Sequence, residues 1–214
     1  MTELYAYGLW PAVAISAGIF IFFALSFLKP KGHREWRSMG AFSAFTVALF
    51  TEMYGFPLTI YILTSTLGSK YPVIDPFSHV NGHLWVALAG GSTFVWALVM
   101  LLSSAAIVGG LIIMGAGWRQ IHKVKGGLVT SGLYGPVRHP QYSGLFLITV
   151  GFFIQWPTII TVAMWPILML MYYRLARREE REMESRFGSQ YVAYKEQVPM
   201  FLPRLVSASR RAKV

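Results

Sequence analysis

Apolar residues in this chain come in long runs rather than at alternating positions, and the polar residues gather between the runs. The first run, Leu9 to Leu28, has the length of about 20 residues that a membrane-spanning helix needs, and it stops at KPKGHREWR. It lacks the basic start and small-residue cleavage site of a signal peptide, so the expectation is a retained helix. A second run, Met39 to Leu67, carries Glu52 and Pro57 inside it. Gly68 to Gly82 holds the turn residues of a loop. Leu84 to Gly117 is apolar for too long to be one straight span, which predicts either one long tilted helix or, as the preferred reading, a short interfacial piece joined to a span near Phe94 to Met114. Ser143 to Leu175 is apolar again but broken at QWPT, and reads as two short helices joined in a hairpin at Pro157.

This pattern predicts an all-α integral membrane protein with about five transmembrane helices, a C-terminal helical hairpin and a polar cap. Composition agrees, since 55% hydrophobic against 13% charged residues is too apolar for an ordinary soluble domain. Without cysteine there are neither disulfides nor thiolate metal sites. The net charge of +10 invites a nucleic-acid reading, but its distribution favours a bilayer. Four basic residues follow the first run (Lys29, Lys31, Arg34, Arg37), and four precede the hairpin (Arg119, Lys123, Lys125, Arg138). Ten lie from Arg174 onward, and Lys70 alone falls in the loop assigned to the other face. Five spans with an outward N-terminus place the three basic regions, and the cap, in the cytoplasm. No internal repeat divides the chain. It reads as a single integral domain, with N-terminal spans over 1–114 and a functional core over 115–214.

The cap consists of the polar stretch from Trp118 to Gly144 and the segment after the hairpin, which the hairpin returns to the same face. Pro140 suits the first turn of a helix, leaving His139 beside backbone N–H groups that favour an anion. Glu179 and Glu180 suit an ammonium or ribose hydroxyls, so the cap as a whole fits a zwitterionic ligand. The plainer alternative makes the glutamates a solvated face paired with neighbouring arginines, and Arg138 and His139 simple contacts to lipid phosphates. Glu52, a carboxylate inside a span, is a functional candidate by default. His79 and His83 have the i,i+4 spacing of metal ligands, but Asn81 and Gly82 favour a turn, and no metal is expected. Trp10, Trp36, Trp118 and Trp156 fit membrane interfaces.

The stretch GLVTSGLYGPVRHPQYSG, followed by EERE and FGSQYVAYKEQVPMFLP, resembles the membrane methyltransferases that include isoprenylcysteine carboxyl methyltransferases and phospholipid N-methyltransferases. The resemblance covers Trp118 to Pro203 and rests on RHPxYxG, the paired glutamates and FGxxYxxY in that order. It implies S-adenosylmethionine in a cytosol-facing pocket, with a lipophilic acceptor entering from the bilayer. Carried over residue by residue, it makes Tyr134, Arg138, His139, Pro140, Tyr142, Gly144, Glu179 and Glu180 cofactor-binding, with Gln120 and His122 as looser candidates. His139, Glu180 and Arg174 are the catalytic candidates it implies. The expected acceptor is a phospholipid amine of the phosphatidylethanolamine type, with an isoprenylcysteine carboxylate as the alternative. Membrane steroid reductases that use NADPH share similar C-terminal motifs, and a non-catalytic membrane scaffold is the third class.

Overall fold

The structure, a computed structural model, describes residues 7–68, 82–124 and 126–204. Among these every regular element is helical: α1 (Trp10–Leu28), α2 (His33–Phe50), α3 (Leu58–Leu67), α4 (Leu84–Leu88), α5 (Thr93–Lys123), α6 (Pro140–Gln155), α7 (Ile159–Phe187) and α8 (Ser189–Gln197). A π turn, Thr51–Gly55, follows α2, and a 3-10 turn, Gly132–Tyr134, precedes α6. α1, α2, α5, α6 and α7 stand side by side, each antiparallel to the one before it. One end of the bundle carries the cap. At the other, far end, the Gly8 N–H donates to the carbonyls of Tyr54 and Gly55, and the His83 ring meets the Gln155 carbonyl.

Local chemistry fixes the helix ends. Pro11 and Pro140 occupy first turns, where no N–H is required. The Thr158 hydroxyl accepts the Thr161 N–H at 3.0 Å to start α7, and Glu35 accepts the N–H groups of Lys31 and Gly32 to start α2. Pro57 breaks the second apolar run, and α3 leaves at 66° to the segment before it. Across that bend the buried Glu52 accepts the Thr59 N–H at 2.8 Å, and the Thr59 hydroxyl accepts the N–H of Ile159. Glu52 thereby ties α3 to the start of α7.

Expected and observed elements agree for α1, for the short α4 followed by the α5 span, and for the break of the hairpin around Pro157, but its second helix, α7, is not short: it has 29 residues and continues past Leu175 to Phe187. Among the described residues three helices, α1, α5 and α7, are long and apolar enough to cross a membrane, and the bent α2–α3 pair counts as a fourth if it forms one broken span. The fifth expected span, α6, has 16 residues. That is about 24 Å at 1.5 Å per residue, short of the hydrocarbon core of about 30 Å. Trp156 departs from the interface expectation, because it is buried against His83. His79, Lys70 and Lys125 lie outside the described residues, as do most of the Gly68–Gly82 loop and the basic residues after Arg204.

α6 is central, and its two faces pack differently. Against α5 the backbones nearly touch: a Cβ on Gly110 would lie 2.5 Å from the Gly144 carbonyl oxygen, and one on Gly144 would lie 2.6 Å from that of Gly110. Gly151 meets the Ser103 carbonyl in the same way. Against α7 the space is filled by rings, with Tyr142 and Phe146 on Tyr172, and Phe153 on Trp165, whose indole N–H donates to Thr149 at 3.0 Å.

Candidate functional site

The cap is built around the start of α6. The segment after α8 crosses it, where the N–H groups of Arg138 and His139 donate to the carbonyls of Pro199 and Met200, and the Ser143 hydroxyl donates to that of Phe201. Arg138 is then fully engaged: its guanidinium donates to Glu180 at 2.7 Å, to the Lys195 carbonyl at 2.9 Å and to the Val198 carbonyl. Glu180, 1% exposed, is the hub, with Arg177 at 3.3 Å and Lys195 at 3.8 Å on its other oxygen. It lies beyond the apolar part of α7. Burial opposes its charge, yet His139 and Arg138 hold its carboxyl at about 2.

Glu179, its neighbour in sequence, is 40% exposed and has a different task. It accepts the Tyr142 hydroxyl at 2.5 Å and stands 3.5 Å from His139 Nδ1. His139 Nε2 is buried and makes no hydrogen bond, although Glu180 lies 3.5 Å away. Burial disfavours the imidazolium, but the two carboxylates outweigh it and raise the histidine above its ordinary range. Burial, reinforced by the Glu179 charge, pushes the Tyr134 hydroxyl up as well.

A cavity of about 490 Å³ opens beside these residues, within the range of roughly 300–1,000 Å³ usual for small-molecule sites. Its walls include His139, Glu179, Arg138, and the tyrosines at 134, 191 and 194. The backbone over 126–129 closes one side, with Gly126 at φ +81, a conformation that side chains rarely adopt. A second cavity of about 220 Å³ lies across Tyr142 and Glu179, between the α1–α2 connection and α7. It presents Lys29, Lys31, Glu35 and Glu182 above the apolar Leu28 and Met39.

Of the residues singled out from sequence, Tyr134, Arg138, His139, Tyr142 and Glu179 line the large cavity. Glu180 stands behind them. Gly144 packs on Gly110, and Pro140 on the backbone of Gly117, so both set the position of α6 against α5. Gln120 accepts the Leu133 N–H at 3.0 Å and braces the 3-10 turn. His122 is exposed and stacks on Trp118. Arg174 lines a separate groove between α2 and α7. Sequence reasoning did not single out Lys31, Glu35 or Glu182, which have no motif around them. Tyr191 and Tyr194 lay within the FGxxYxxY pattern and were overlooked as wall residues. Among the described residues no group of His, Asp and Glu is arranged to hold a metal ion.

Fold and site together define a helical membrane protein with a mixed-charge cavity at one end, and the comparisons say what such a chain is similar to. Residues 86–190 match the family model described as phospholipid methyltransferase, a span that includes the RHP and paired-glutamate motifs and the first residues of FGxxYxxY, and so bears out the resemblance to membrane methyltransferases. The chain is also 28% identical over 134 residues to protein-S-isoprenylcysteine O-methyltransferase B of Arabidopsis thaliana. That match covers 59% of this chain and 64% of the relative, so the chain spans less than two thirds of that protein's length. No solved structure gives a significant match.

Proposed function

We propose that the chain is a membrane methyltransferase that takes a methyl group from S-adenosylmethionine and gives it to a lipophilic acceptor held at the bilayer surface. The observation that carries this reading is the large cavity, whose lining brings a buried histidine and an accessible carboxylate side by side, 3.5 Å apart. These residues fit the cofactor. His139 suits its carboxylate end, Glu179 its ammonium or ribose hydroxyls, and the three tyrosines a purine ring. When bound, the cofactor supplies an electrophilic methyl group on a sulfonium. The chain's own part is alignment and exclusion of water, with Arg138 and Glu180 holding the walls in place.

The smaller cavity is the natural acceptor chamber, because it adjoins the larger one at Tyr142, Glu179 and Lys31. Its three carboxylates, Glu35, Glu179 and Glu182, outnumber its two lysines, Lys29 and Lys31, which favours an amine over an anionic acceptor, and Glu179 is placed to take the proton an amine must lose. A phospholipid amine is therefore preferred. The isoprenylcysteine carboxylate remains the second reading, supported by the identity to the plant relative. The cap, with its basic residues, faces the cytoplasm in this proposal.

Isothermal titration of the purified protein with S-adenosylhomocysteine and with NADPH tests the cofactor. Binding of the first at micromolar concentration is expected, and saturation by NADPH alone moves the protein to the reductase class. Transfer of radiolabelled methyl to phosphatidylethanolamine rather than to a farnesylcysteine separates the two acceptors.

A further inference from the structure

The groove between α2 and α7 lies apart from the large chamber and meets the small one at Leu175. It encloses about 370 Å³ and carries four arginines, Arg34 and Arg37 from α2 and Arg174 and Arg178 from α7. Each pair is spaced by three or four residues and so projects from one face of its helix. Met171 and Leu175 form an apolar floor. Arg178 is paired with Glu182 at 3.0 Å, whereas no ion pair with a carboxylate is formed by Arg34, Arg37 or Arg174 among the described residues. Like charges held this close repel one another unless an anion joins them.

The place of the groove says which anion. It sits where α7 passes from its apolar run, ending at Tyr173, into the charged extension that begins at Arg174. In a bilayer that transition coincides with the headgroup layer, and guanidinium groups bind phosphate oxygens through paired N–H donors. We propose that this groove is a binding site for an anionic membrane phospholipid, its phosphate on the arginines and the start of its acyl chains over Met171 and Leu175. None of the four arginines lines either chamber, so the inference stands apart from the proposed reaction. It also gives Arg174 a role other than chemistry.

The test uses the purified full-length protein in detergent, with lipid retention read by native mass spectrometry and stabilisation by thermal melting. Phosphatidylglycerol is expected to be retained at least roughly tenfold better than phosphatidylcholine, given the attraction of several basic residues at a membrane surface. In the R34Q/R37Q/R174Q variant that preference should disappear, while His139→Gln keeps it. Should the triple variant fail to run as a single species on size exclusion, R37Q and R174Q singly must each reduce the preference. Equal retention of the two lipids by the parent, or an unchanged preference in the variants, overturns the proposal. So does displacement of phosphatidylglycerol by millimolar glycerol 3-phosphate, because the ligand would then be a soluble anion.

Discussion

α6 is gripped on one side by backbone and on the other by side chains. Toward α5, glycines bring the two main chains into contact, so that an added carbon would meet a backbone carbonyl that no rotamer can move aside. Toward α7, aromatic rings keep the helices apart and can shift through rotamers. The consequence for the site is an asymmetry. The loop bearing Arg138 and His139 is fixed to α5 through Pro140 and Gly117, whereas the end of α7 bearing Glu179 and Glu180 is placed by rings and then latched by one ion-paired hub. Small-residue contacts of the first kind are the usual means by which membrane helices associate, since lipid gives no hydrophobic drive between them.

The largest expected effect comes from opening the latch. Glu180→Ala leaves Arg138, 8% exposed, without its carboxylate, a loss of about 3–5 kcal/mol when a buried pair is broken by removing one partner. Thermal melting in detergent should show it, and Glu179→Ala should not. Glu179→Ala is expected instead to weaken S-adenosylhomocysteine binding by about ten- to hundredfold, the loss of about 1–3 kcal/mol from one unpaired polar partner. If both variants melt alike, the division of labour within the glutamate pair is wrong.

Next is the backbone contact. Gly144→Val places carbon against the Gly110 carbonyl and Met114, and overpacking of this kind costs about 1–3 kcal/mol, or more where backbone must move. Melting temperature and elution on size exclusion report it. On the opposite face Trp165→Phe removes one hydrogen bond to Thr149 and exchanges the fused indole for a smaller aromatic ring, the lost hydrogen bond accounting for about 1 kcal/mol. A larger loss from Trp165→Phe than from Gly144→Val reverses the contrast between the two faces.

The smallest effect is a pH dependence. His139 has a raised folded value, so its contacts with Glu179 and Glu180 stabilise fully below its unfolded value of about 6.5 and fade as pH rises through the folded one. Ligand-free protein should therefore melt at a slightly lower temperature at pH 8.5 than at pH 6, and His139→Gln should remove the difference. A parent that gains stability over that range contradicts the assignment.

The helices were legible because a run of apolar residues and a proline are local signals. Leu9 to Leu28 and the break at QWPT needed no knowledge of neighbours. The closeness of α5 and α6 was not legible, since Gly110, Gly144 and Gly151 look like ordinary glycines until the partner helix is known. In the site, the motif residues Tyr134, His139, Tyr142 and Glu179 were found by resemblance. The difference between Glu179 and Glu180 was not, because adjacent residues on a helix point about 100° apart and only the packing of α6 decides which one is buried. Arg174 is the same case one turn earlier. Its place on α7 directs it toward α2, a partner that no local pattern names.

The two chambers share Lys31, Tyr142, Glu179 and Glu182, and the hydrogen bond from Tyr142 to Glu179 is part of the partition between them. A partition of that kind yields to a change of rotamer, which a half-exposed carboxylate makes in picoseconds to nanoseconds. A single elongated compound that displaces this bond and fills both chambers turns the second binding event into an intramolecular one, at an effective concentration near millimolar for a short tether. An inhibitor joining a nucleoside to a short lipid headgroup should therefore bind far more tightly than either half, and the length of its linker would measure the thickness of the wall.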